Sequence, residues 1–162
     1  MPLFDTDAGN ALSRVVTTLL NEFPGLGNKT ISFSGLDHDS GIGFFPTSGA
    51  TFLQNKESIT GYVKQTCLYP FTVIYRAAPV SDSQRIEIKE FLDALGRWIE
   101  QETITIDENE YRLESYPDIN SSNRKIKSIE RTNAAHLGRR YNDAVEDWQI
   151  SLRLTYTNEY QK

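Results

Sequence analysis

The chain has 162 residues, a formal net charge of −5, 24% charged and 38% apolar residues, and one cysteine, Cys67. That length suits one domain with a proper hydrophobic core. A single cysteine excludes an internal disulfide and a cysteine-built zinc site, and the acidic balance excludes coating nucleic acid by general charge attraction. No stretch approaches the roughly 18 apolar residues that a membrane span needs. Met1-Pro2-Leu3-Phe4-Asp5 lacks the basic and apolar segments of a secretory signal. One free thiol suits a reducing cytoplasm, or an extracellular protein that needs no staples.

Residues 6–23 carry Leu12, Val15, Val16, Leu19, Leu20 and Phe23 at helical spacing. Asp5 or Asp7 is placed to cap the start, and Pro24-Gly25 to stop the helix. The following "FPGLGNKT" (23–30) looks like a phosphate-binding loop. It fails as one because Asn28 separates Gly27 from Lys29, whereas that loop needs its lysine directly after the last glycine. The order is also reversed: this loop leaves a helix, and phosphate is held where a helix begins. Its reading is a helix stop followed by a turn.

Ile31 and Phe33 alternate with polar neighbours and predict a short strand over 30–34. Residues 35–50 hold four glycines and Pro46, and read as a loop with a short strand at 42–45 that contains Phe44 and Phe45. Within the loop, Asp37, His38 and Asp39 raise the prospect of metal binding or acid–base work. Adjacent strand residues point to opposite faces, so converging all three takes a special loop. The plain reading is a solvated turn.

From 51 to 77 the chain is rich in β-branched and aromatic residues and predicts two or three strands, the last over 71–77. Pro70 belongs at a bulge, a bend or an edge, because it has no N–H to give a ladder. Ser81 with Gln84 forms a capping-box pattern. Ile88, Phe91, Leu92, Leu95, Trp98 and Ile99 then mark a helix that ends near Glu102. A strand or hairpin is expected over 103–116, a polar loop over 117–123, a strand over 124–132 and another loop over 133–145. Finally, Trp148, Ile150, Leu152, Leu154 and Tyr156 alternate with polar residues including Arg153, the signature of a strand with one buried face.

Helix, strands, helix, strands without regular alternation predicts a single α+β domain over 1–162, with a mainly antiparallel or mixed sheet and two amphipathic helices on one face. No nucleophile elbow is present, and Cys67 sits in a strand-like stretch as a small buried hydrophobe. No cofactor is implied. Lys125, Lys127, Arg131, Arg139 and Arg140 form a basic zone in an acidic chain. It is either a solvated strand and loop or a contact for DNA or an acidic protein surface.

Several stretches resemble the minor capsid or tail terminator proteins of long-tailed bacteriophages. They are the first helix ending in FPG, the segment 70–100 running from a strand into a capped helix, and the segment 128–157. In the last, a Ser-Ile-x-Arg strand, an irregular loop and a closing E-D-W-x-x-x-L-x-L-T-Y-T strand follow in order. The resemblance implies a structural protein of the virion with no catalytic residues to carry over, assembled in the bacterial host cytoplasm. Such proteins form a ring, typically of six, on the head-proximal end of the tail. The ring stops addition of tail tube protein and meets the head connector or stopper. Double-stranded DNA passes through it, and no membrane is involved. A head-completion or stopper protein is the near alternative; from another class, a small cytoplasmic metal-dependent enzyme built on Asp37, His38 and Asp39 is the rival. On the ring reading, the contact candidates are Asp37, His38, Phe44, Phe45, Lys125, Lys127, Arg131, Arg139, Arg140 and Arg153. The loops 35–50 and 133–145 are candidates for its two faces. Six copies at −5 each carry about −30, so an acidic channel wall is expected to repel the passing duplex.

Overall fold

A computed structural model describes residues 3–119 and 123–162. In chain order the elements are α1 (Thr6–Leu20), β1 (Ile31–Phe33), β2 (Gly41–Pro46), β3 (Thr51–Glu57), β4 (Tyr62–Ala77) and α2 (Asp82–Ile99). They are followed by β5 (Ile104–Ile106), β6 (Asn109–Tyr111), β7 (Arg124–Arg131), β8 (His136–Arg140) and β9 (Glu146–Gln161). The fold is α+β. No helix among the described residues is long and apolar enough to cross a membrane.

β4 and β9 are antiparallel partners over sixteen residues each, from Tyr62↔Gln161 to Ala77↔Glu146. β3 lies beside the first half of β4 and β2 beside its second half. On the other border, β7 and β8 divide β9 in the same way. β1 extends the sheet by pairing parallel to β2, and β5 with β6 forms a separate hairpin.

Period-two alternation decides which face is covered. Cys67, Tyr69, Phe71 and Val73 of β4 lie opposite Tyr156, Leu154, Leu152 and Ile150 of β9, and all eight are buried. α1 adds Leu12, Val16, Leu19 and Leu20 to the same core, and α2 adds Leu92, Leu95 and Ile99. Both helices therefore pack on one face, as the amphipathic patterns require. A side chain at Gly96 would run into Ile150 and the Arg131 stem, so its absence lets α2 settle close to the sheet. The opposite face, with Thr66, Leu68, Pro70, Thr72 and Ile74 of β4 in its centre, is uncovered by any helix among the described residues.

Caps explain both helix starts. Asp5, not Asp7, caps α1 by accepting from the Ala8 N–H. Ser81 accepts from the Gln84 N–H while the Gln84 side chain accepts from Val80 N–H, one residue before the cap, giving a shifted capping box. α1 stops at Leu20, earlier than the Pro24-Gly25 signal, because the Asn21 side chain turns to bind Ile31. Phe23 still joins the core from the turn. α2 likewise ends at Ile99, short of Glu102.

Two further corrections concern strands. Residues 51–77 form two strands, within the two or three expected, but the second runs unbroken over 62–77 and not over 71–77 alone. Pro70 is tolerated within it because its carbonyl accepts from Thr47 N–H, on the side where β3 has ended and β2 has yet to begin. A strand residue's nitrogen and carbonyl point the same way in an antiparallel ladder. The proline nitrogen thus faces a gap where no N–H is needed, a local edge inside the sheet. Second, the expected loop 133–145 contains β8, a charged border strand without the apolar alternation that announces a strand. Of the strand or hairpin expected over 103–116, a hairpin forms over 104–111, with Asp107 and Glu108 at φ 50° and 68° in its two-residue turn, the geometry of a type I′ turn. Part of the expected loop 117–123 lies outside the described residues.

The alternation sets an expectation for β9. Leu154→Ala should cost about 2–5 kcal/mol, the range for a fully enclosed leucine. Its neighbour Arg153, on the open face and paired only with exposed Glu130, should cost less than about 1 kcal/mol when changed to Ala. Urea unfolding followed by circular dichroism measures both.

Candidate interaction surface

The molecule has two chemically different ends, set by the direction of β4. At the end where β4 finishes, charges converge. Glu146 lies on the helix face of β9, is 1% exposed, and accepts from Arg85 of α2 (3.1 and 3.2 Å), Arg140 of β8 (2.9 Å) and the Trp148 indole (3.1 Å). Its neighbour Asp147 points to the open face and takes both Nε and an NH2 of Arg76 (2.7 and 2.9 Å), with the Tyr141 hydroxyl donating at 2.8 Å. The guanidinium groups of Arg76 and Arg139 lie 5.3 and 4.6 Å from the centre of the Tyr141 ring, within cation–π reach.

Burial alone raises the Glu146 carboxyl, but hydrogen bonds from Arg85, Trp148 and Arg140 outweigh it and hold the group below the usual glutamate value. Asp147 behaves alike, with Arg76 and Tyr141 overcoming burial. The hydrogen bond to Asp147 in turn pushes Arg76 up. Both carboxylates are saturated by donors, so neither is poised to move a proton. Together they clamp the end of the β4–β9 ladder to α2 and β8.

The loop carrying Asp37, His38 and Asp39 folds over this same end. The Asp37 carbonyl accepts from Arg76 at 3.2 Å, and His38 Nδ1 stands 4.0 Å from Asp143, with both side chains largely in solvent. An open hollow of about 500 Å³ lies between His38, Arg76, Tyr141 and Asp143. Among the described residues, no three His, Cys, Asp or Glu side chains are grouped to hold a metal. His38 meets residues 141–145, so these parts of the two loops expected to serve opposite faces belong to one end, while residues 47–50 lie beside the middle of β4.

The other expected contacts separate by burial and by partner. Phe44 is fully buried between Phe33 and Phe71 and is a core residue. Phe45 stands half-buried on the open face opposite Thr72. Arg131 is on the helix side, bonded to Glu100 at 2.7 Å, and Arg140 is bound to Glu146, so both are committed within the chain. Arg153 pairs with Glu130 on the open face. Lys125, Lys127 and Arg139 are exposed and have no ion pair among the described residues. Lys125 lies opposite Thr157 on the open face, and Lys127 sits at the irregularity of β7.

At the start of β4 the character reverses. The β3–β4 ribbon, flanked by the end of β9 (Tyr62↔Gln161), is closed by Ser58-Ile59-Thr60-Gly61, with Gly61 at φ 84° where a side chain would strain the turn. Leu53 to Glu57 are all exposed, and Ile59 is completely so, at 107%. Ile59 and Tyr62 expose apolar surface at this end, whereas Leu3, Phe4 and Leu53 expose theirs nearer the middle of β4, where Phe4 bridges Thr51 opposite Leu68.

Sequence reasoning passed over Glu146, Asp147, Arg76 and Arg85. One signal was available: Glu146 is in phase with Trp148, Ile150, Leu152 and Leu154, so a carboxylate falls on the apolar side of a strand and must be paired. No family model matches the chain, and no curated protein matches it.

The clamp has a pH signature. Folded values below the ordinary 4.5 for Glu146 and 3.8 for Asp147 mean that their stabilisation is fully present above those values. It is lost as pH falls through the depressed folded values. Glu146→Gln should lower the melting temperature at neutral pH and flatten the decline below about pH 4.5, as thermal melts across the acid range would reveal. An unaltered acid slope would mean that the clamp does not hold.

Proposed function

We propose that the chain is a structural joining protein, the terminator of a long phage tail. In this reading a ring of copies caps the head-proximal end of the tail tube, stops addition of tube protein and presents another surface to the head connector. The observation that carries it is the unlikeness of the two ends of one sheet. A turn that exposes Ile59 and Tyr62 stands at the start of β4, and a charged clamp with His38, Arg139 and Asp143 stands at its finish. Ending a polymer requires such a molecule, with one side that joins like the polymer's own subunits and another that does not. The resemblance in the Ser-Ile-x-Arg and closing strands supports the same role.

The charge distribution supports a channel for DNA. Acid concentrates in the β5–β6 hairpin and its flank, where Asp107, Glu108, Glu110 and Glu114 are all exposed against one arginine, Arg112. The open sheet face is instead richer in cations, with Lys64, Lys125, Arg139 and Arg153. A duplex that must slide without sticking is best served by the acidic hairpin toward the bore, leaving the sheet face for protein. The ring reading assigns no catalytic residue, cofactor or metal. Its place is the virion, between tail and head.

Two experiments test this. Purified protein viewed by electron microscopy should give rings with a central channel. Removing the protein during phage assembly should give tails longer than normal and without heads. Tails of normal length lacking heads would overturn the terminator role in favour of a stopper, and normal headed phage would overturn both.

A further inference from the structure

Resting on the ring reading, we propose that the β3–β4 ribbon is the grip between copies, its apolar tip seating in the groove beside α1 of a second copy. The groove has a volume of about 470 Å³ and is walled by Ala11, Val15, Leu19 and Pro117, with Arg14 and Glu22 at its rim. The ribbon offers Leu53, Ile59 and Tyr62. Neither side satisfies the other within one molecule. α1 starts beside the middle of β4, where Asp5 meets Tyr156 opposite Cys67, and ends at Asn21, which holds Ile31 near the far end of the sheet. The groove therefore recedes from the chain's own ribbon. A knob and a hole on separate parts of one chain make a head-to-tail contact, the kind that closes into a ring when the rotation permits.

Charge favours a second copy as the occupant. Two chains at −5 each repel, so they must meet where local charge is balanced. On the ribbon, Glu57 pairs with Lys162 at 3.0 Å and Lys64 with Glu159 at 4.0 Å, which leaves exposed Lys56 without an ion pair among the described residues, a cation that suits an acidic second copy. The groove rim carries one arginine and one glutamate. Main-chain groups point the same way. Along β1 and β7, side chains occupy the outward positions that a neighbouring strand would use. Asn21 gives to and accepts from Ile31 (2.9 and 2.8 Å), the Tyr116 hydroxyl accepts from Ile129, and Glu100 accepts from Arg131 N–H. Along β3 only Phe52 is engaged in this way among the described residues, by the Leu3 carbonyl.

Ile59→Asp tests the contact without touching the core, because the residue is wholly exposed. Its melting temperature should match the parent, while ring formation, read by sedimentation and electron microscopy, should weaken at least about tenfold, as for an interface anchor. A second variant joins Ile59→Cys with Val15→Cys. Burial pushes the native Cys67 thiol up to about 11, so it stays silent under mild oxidation. Non-reducing gels of the oxidised variant should show a ladder of chain multiples. Rings from Ile59→Asp at parental strength, or rings from the double variant without a ladder, would overturn the ribbon contact and leave the ring reading standing. Failure of the parent to form rings, alone or on tail tubes, would overturn both.

Discussion

The pairing of β4 with β9 is the constraint on which the rest of the structure depends. Sixteen rungs join segments that lie on either side of α2, the β5–β6 hairpin, β7 and β8. No local interaction can form this ladder early, so loop-closure entropy must be met before the contacts repay it. Once formed, it supplies two borders and two faces. β2 and β3 share one border, β7 and β8 share the other, and α1 and α2 take the one face whose alternate residues are apolar. Even the proline within β4 obeys the ladder, because it faces away from β9 at the break between β3 and β2.

Register along that ladder is held by buried charge as well as by apolar phase. In the middle, Asp5 caps α1, receives Arg124 of β7 through two nitrogens and accepts from the Tyr156 hydroxyl of β9. At one end, Glu146 and Asp147 point to opposite faces and each finds its own arginines. A slip by one residue would send Glu146 to the open face and leave Arg85 without its carboxylate, while Trp148 left the helix side. Buried ion pairs add little net stability, since desolvation offsets much of the attraction, but breaking one is costly. Their contribution here is to make one register distinguishable from its neighbours.

How legible this was in the sequence follows from the same physics. The closing strand was plain because alternation from Trp148 to Tyr156 is a local pattern read directly from residue order. Both helices were visible for the same reason, and so was the Ser81 cap. β8 was not, because its residues are His136, Leu137, Gly138, Arg139 and Arg140. Its strand conformation comes from lying against β9, a tertiary cause with no local mark. The length of β4 was obscured by Pro70, whose acceptability depends on where two other strands end. For the candidate surface, exposure of the Asp37–Asp39 loop was foreseen, whereas its meeting with residues 141–145 was not. Of the basic zone, composition gave the sign of the charge but not its commitments. Arg131 and Arg140 turn inward to carboxylates distant in sequence or on another strand, leaving Lys125, Lys127 and Arg139 as the cations presented outward.

A sheet with long central strands and short outer ones carries a hazard, because unpaired borders invite uncontrolled strand addition. Along β1 and β7 the hazard is met with side chains rather than with extra strands. The Asn21 amide mimics a neighbouring strand at Ile31, and it is the same residue that ends α1, so one side chain stops a helix and closes a border. Tyr116 and Glu100 do the same along β7 from the segment that follows α2 and from the α2 terminus. These plugs are short-range and rigid, held by core packing of Tyr116 and by the pairing of Glu100 with Arg131.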